Sequence, residues 1–244
     1  MAQLDTRYPQ STTVQRTGAA VDEGLRAYML GVYNYMSAGV ALTGIVAYLT
    51  YQLSVSNPAV AQLLYFSPLK WVVMLAPLAF VFFLSFRVHT MSVGAAQVTF
   101  WLFAAVMGLS LSTIFLRYTG QSITQVFFVT AAAFASLSVW GYMTKKDISG
   151  WGSFLFMGLI GIIIAALVNI FLQSSAVQFA ISSIGVLVFA GLTAYDTQNI
   201  KDTYFVVRNN AELAAKSAIM GALSLYLDFI NLFTSLLSLF GGRE

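Results

Sequence analysis

The chain has no cysteine and a single histidine, His89. Disulfides, thiol nucleophiles and zinc or copper sites built from clustered Cys and His are thereby excluded. Charge is equally scarce: Asp, Glu, Lys and Arg make up 9% of 244 residues, too few to cover a water-soluble globule of this length. No glycine-rich phosphate loop is present, which leaves a nucleotide-driven pump without support. The run GLSLS, Gly108 to Ser112, lacks the last glycine of a G-x-S-x-G nucleophile motif, and no histidine lies within an apolar segment to act as its base. The N-terminal stretch, rich in Gln, Ser and Thr, has no apolar core followed by a small-residue cleavage site, so it is not read as a secretory signal peptide.

Apolar length is what the chain has in quantity. Hydrophobic residues make up 59% of it and the mean hydropathy is +0.79. A helix needs about 20 apolar residues to cross roughly 30 Å of hydrocarbon. Seven segments satisfy this: Ala27–Leu53, Leu69–Phe86, Gly94–Leu116, Ile123–Met143, Trp151–Leu172, Val177–Ile200 and Ser217–Phe240. The expectation is an all-α integral membrane protein with seven transmembrane helices. Residues 27–244 form one transmembrane domain behind a tail over residues 1–26, and the hydrophilic stretch Thr197–Lys216 reads as a loop. Pro77 predicts a kink in the second segment, and Gly158 with Gly161 predicts close packing of the fifth.

Lys and Arg set the expected orientation. Nine of the 12 fall on one side: Arg7, Arg16, Arg26, Arg87, Lys145, Lys146, Lys201, Arg208 and Lys216. Only Lys70, Arg117 and Arg243 fall on the other, which puts the N-terminus in the cytoplasm. Trp71, Trp140, Tyr142 and Trp151 stand near segment ends, as interfacial anchors do. The basic balance is then a topology signal, and no nucleic-acid partner is implied. The partners expected are the lipid bilayer and small ions, with protein partners unknown.

Two aspartates lie inside the last two apolar segments, Asp196 in GVLVFAGLTAYDTQNI and Asp228 in GALSLYLDFINLFTSLL. A carboxylate at mid-helix depth costs roughly 2.5–3.5 kcal/mol on insertion scales, so it faces a bundle interior or a wet cavity and marks a candidate site. The last segment repeats small and polar residues as Ser217, Gly221, Ser224, Asp228, Asn231, Ser235 and Ser238, one stripe along a helix. Close packing accounts for the glycine and serines; Asp228 and Asn231 favour an ion-accessible seam, with Ser224 and Asn231 on it. The two carboxylates can meet if the sixth helix runs past Lys201. At ~5 Å and an effective dielectric near 20 they would repel by about 3 kcal/mol. One shared proton relieves that, and such a pair titrates in two separated steps. Arg87, at the end of the second segment on the same side as Asp196, offers a second means of neutralising the site, although a plain positive flank explains it equally. His89 beside it reads as a solvated loop residue. Oxygen ligands alone suit Ca²⁺, Mg²⁺, Na⁺ or H⁺. Asp196 and Asp228 would hold such a cation weakly and transiently.

The motifs AYDTQNIK, Ala194 to Lys201, and LSLYLDFINLF, Leu223 to Phe233, resemble the last two helices of the Bax inhibitor-1 family, and LRAYMLGVYNYMSAGVALTG resembles its bacterial branch. The resemblance extends from about Leu25 to the end. It implies a central last helix surrounded by the other six and an inner-membrane location. It also implies a pH-sensitive calcium leak whose sensor is Asp196 with Asp228 and whose latch is an arginine of the second helix, best matched by Arg87. No cofactor is implied; Ca²⁺ is the transported ion. Two rival readings stay open. An intramembrane aspartyl protease also places YD in one helix and D in the next, but Leu225, Tyr226 and Leu227 precede Asp228 where those proteases have G-x-G, and no PAL follows. A non-transporting scaffold would use the polar stripe only to hold helices together.

Overall fold

In hydrocarbon every backbone amide and carbonyl must find its partner within the protein, which makes a continuous helix the natural outcome of each apolar segment. The computed structural model describes residues 11–242. It contains seven long helices: α1 (Ser11–Ser56), α2 (Leu69–Arg87), α3 (Val93–Leu111), α4 (Gly120–Met143), α5 (Trp151–Leu172), α6 (Ser175–Val207) and α7 (Ala211–Phe240). Each contains a stretch long and apolar enough to cross a membrane, so the seven-span expectation holds. Arg7 and Arg243 lie outside the described residues.

The helix starts follow local chemistry. The side chains of Ser92, Thr119, Ser174 and Asn210 each accept a hydrogen bond from the free amide three residues on, at Ala95, Ser122, Val177 and Leu213. Gln173 ends α5 in the left-handed region, with φ of 49°, so that α6 starts after only two residues.

Two expectations about polar stretches change. The loop expected over Thr197–Lys216 is mostly helix: α6 runs on to Val207, residues 208–210 make the turn, and Asn210 caps α7. Its first polar residues are not solvated, since Thr197 and Gln198 are buried with Ile200 against neighbouring helices, while Asn199 and Asp202 are exposed. The tail expected to end at Arg26 is helical from Ser11, as a backward extension of α1.

α7 is the central helix. Half of its most apolar stretch is buried inside the protein, against 6–28% for the other six. It packs directly on α1, α3, α4 and α6, while α2 lies outside against α3 and α5 outside against α6. Four helices, not six, thus form the main contact surface of α7, because 6% burial in α5 and 11% in α2 leave those helices mostly facing lipid. Phe100, Phe103 and Tyr226 are fully buried where α3 meets α7, their rings edge-on at 5.2–6.2 Å. Tyr226 Oη donates to Thr43 Oγ1 at 2.7 Å, and Thr43 Oγ1 donates to the Ala104 carbonyl at 2.8 Å, joining α7, α1 and α3.

Pro77 is buried inside α2. Gly158 packs as expected: a Cβ there would lie 2.9 Å from Val188 of α6. Gly161 does not, since nothing lies within 4 Å of its Cβ position. Ser112 closes the GLSLS run by donating to the Leu109 carbonyl at 2.7 Å and pairing with Tyr65 Oη at 3.0 Å, which gives that serine a structural role.

A carboxyl pair in a cavity beside the central helix

α6 and α7 run antiparallel, and small residues let them close on one another. A Cβ at Gly185 would come 2.8 Å from Ser235 Oγ, and one at Gly221 would come 3.0 Å from Ile200. Asp196 and Asp228 lie side by side between these two contacts, near enough for their carboxyls to interact, and both line one cavity. The condition set by the sequence, that the sixth helix continue past Lys201, is met by six further residues, to Val207. Asp228 is 4% exposed, and its Oδ2 is buried without a hydrogen-bond partner. Asp196 is half-buried.

The pair opens on a cavity of about 560 Å³ between α5, α6 and α7. Ser224, Asp228 and Asn231 line it from α7, Tyr195 and Asp196 from α6, and Gly152 and Ser153 from α5. Three members of the α7 stripe therefore reach one space. The Asn231 amide donates to the Leu227 carbonyl at 2.8 Å, which orients the side chain. Among the described residues no three of His, Cys, Asp and Glu cluster as a metal site. The side-chain oxygens lining it are the two carboxyls and the neutral groups of Ser224, Asn231, Ser153 and Tyr195.

Arg87 stands elsewhere. It is exposed at the last position of α2, does not line this cavity, and makes no ion pair with Asp196. His89 falls in a single 3-10 turn, Val88–Thr90; its side chain lies outside the described residues. Near the α6–α7 turn Lys216 pairs with Glu212 at 2.7 Å, one helical turn apart on α7.

Other residues of the AYDTQNIK motif hold the frame around the pair. Gln198 Oε1 accepts from the Ile148 amide and its Nε2 donates to the Lys146 carbonyl, both at 2.9 Å, clasping the turn between α4 and α5. Lys201 Nζ donates to the Tyr142 carbonyl at 3.0 Å. In the same turn Asp147 accepts from Ser149, and that hydrogen bond holds its carboxyl below the usual carboxylate range. The α5 wall was not legible in the sequence. Its signal was Gly152, the one residue type that fits there, since a Cβ would come 2.6 Å from Tyr195 Oη.

Residues 25–244 match the family model described as "Inhibitor of apoptosis-promoting Bax1". An uncharacterised protein of Caulobacter vibrioides is 44% identical over 253 residues, covering all of both chains. An uncharacterised protein of Rickettsia prowazekii is 43% identical, covering 97% of this chain and 98% of its own length. Inner membrane protein YbhL of Escherichia coli is 44% identical, covering 98% and 99%.

Proposed function

The chain belongs to the Bax inhibitor family of membrane proteins, and we propose that it acts as a channel-like, pH-sensitive calcium leak in a bacterial inner membrane, with its N-terminus in the cytoplasm. The observation that carries this reading is the Asp196–Asp228 contact on a cavity beside the most buried helix. Two carboxyls side by side attract a cation when ionised and bind a proton between them when they are not. Proton uptake and cation passage then compete for the same oxygens. Ca²⁺ takes 6–8 oxygen ligands; two carboxyls with Ser224 and Asn231 offer six only if both carboxyls bind through both oxygens, the bottom of that range, which suits weak, transient binding and not storage. The inner-membrane assignment rests on the E. coli relative.

Arg87 enters this reading as the latch of a second state, in which the end of α2 moves over Asp196. The test is calcium flux into proteoliposomes across pH 5–8. Wild-type protein is expected to conduct with a pH-dependent rate, and Arg87→Gln to alter that dependence. If Asp228→Asn leaves flux and its pH response unchanged, the proposal fails. An aspartyl protease would share the carboxyl pair, so cleavage of a model transmembrane substrate, blocked by a transition-state analogue, is the discriminating outcome.

A further inference from the structure

A larger cavity, about 730 Å³, lies on the other side of α7, in a groove between α1 and α4. Neither aspartate lines it. Its floor includes Phe229, and its walls run from Arg26 and Tyr142 at one end to Ala41 and Phe127 at the other. Fifteen residues separate the two ends along each wall, a length of about 22 Å at 1.5 Å per residue. One leaflet of a hydrocarbon core is about 15 Å deep. The groove therefore extends from the start of the first span past the bilayer midplane, and its volume falls in the range of ligand pockets.

Charge at the groove is confined to one end and is of one sign. Arg26 lines the mouth, and no carboxylate lines any part of the groove. Lys201 sits behind the same mouth, its Nζ on the Tyr142 carbonyl at 3.0 Å and 5.8 Å from the centre of the Tyr142 ring. Trp140 and Trp151, both exposed with rings 6.4 Å apart, stand at this level of the molecule, as residues of the headgroup zone do. A guanidinium suits a phosphate because it can donate two parallel hydrogen bonds to it. Basic pockets between transmembrane helices take anionic headgroups on the same principle.

We propose that the α1–α4 groove is a binding site for one anionic phospholipid of the bilayer, with an acyl chain laid along the groove over Phe229 and the headgroup phosphate on Arg26, assisted by Lys201. The site is separate from the carboxyl cavity, and the proposal stands whether or not the protein conducts ions.

Native mass spectrometry of the full chain, purified in detergent and titrated with phosphatidylglycerol or phosphatidylcholine, tests this. Wild-type protein is expected to retain phosphatidylglycerol at least about fivefold better than phosphatidylcholine, a preference set by the headgroup charge. Arg26→Gln should reduce that preference to under about twofold. Ala135→Trp, which fills the groove, should remove retention of both lipids. A parallel thermal-unfolding titration of the unaltered protein, in which phosphatidylglycerol raises the midpoint more than phosphatidylcholine, makes the test independent of how the variants fold. Equal retention of the two lipids by wild type, an Arg26→Gln variant with unchanged preference, or retention by Ala135→Trp at the wild-type level overturns the proposal. So does a lipid-free dimer as the only species, which would assign the groove to a second copy of this chain.

Discussion

Asp228 and Phe229 are neighbours on the central helix, and they face two different media. Successive residues on an α-helix point about 100° apart, so one step along α7 passes from the carboxyl cavity of α5 and α6 to the apolar groove of α1 and α4. The stripe on α7 does not by itself make a polar pathway. It becomes a site only where α6 brings a second carboxyl and α5 brings glycine and serine, and the same helix turned toward α1 and α4 offers a surface for an acyl chain. The difference between the two regions lies in what faces α7.

The sharpest way to break the comparison is to disturb the seam between the two regions. Gly141 of α4 lies against the backbone of Ala194 of α6, where a Cβ would collide with the carbonyl oxygen. Gly141→Val should cost about 3 kcal/mol, because neither backbone can give way as a side chain tip does; unfolding in a mixed-detergent titration measures it. Next in size, Asp228→Asn should lower calcium flux by about tenfold, equivalent to about 1.4 kcal/mol in the barrier. The lipid-facing control Leu187→Ala, 73% exposed on α6, should stay within about twofold of wild type. Equal losses in the two variants would mean that flux tracks stability and not the carboxyl pair.

A smaller effect is expected at Tyr226, next but one to Asp228. Tyr226→Phe removes the bond to Thr43 while leaving Thr43 on the Ala104 carbonyl. The loss should be about 1 kcal/mol, read in the same unfolding titration, with the pH profile of flux unchanged. The smallest effect belongs to Asp147, in the turn that joins α4 to α5. Its folded carboxyl lies below the usual carboxylate range, so its contribution is present above that range and is lost as pH falls through the folded value. Stability measured from pH 6 down to pH 3 should therefore decline slightly more steeply in wild type than in Asp147→Asn. An identical slope would remove the turn from the account.

Much of the fold is legible in the sequence, because the bilayer imposes a local rule. Each segment of about 20 apolar residues must be helical, whereas the caps at Ser92, Thr119 and Asn210 that set the helix starts came from the structure. That rule misread Thr197–Lys216, where polarity suggested a loop. Thr197 spends its hydroxyl on the Thr193 carbonyl one turn back, and Gln198 on the α4–α5 turn, so neither needs water. Hydropathy measures preference for lipid, and it does not register a polar side chain whose bonds are met by protein.

The sequence alone determined seven helices, a last helix unlike the others, and two aspartates that had to avoid lipid. Which residues meet was decided only by the tertiary structure. The Asp196–Asp228 contact depends on Gly185 and Gly221 letting α6 and α7 approach, and the separate position of Arg87 depends on α2 lying outside α3. Charge and hydropathy act at every position along a chain, whereas proximity between distant residues follows from how side-chain volumes fit when the helices pack.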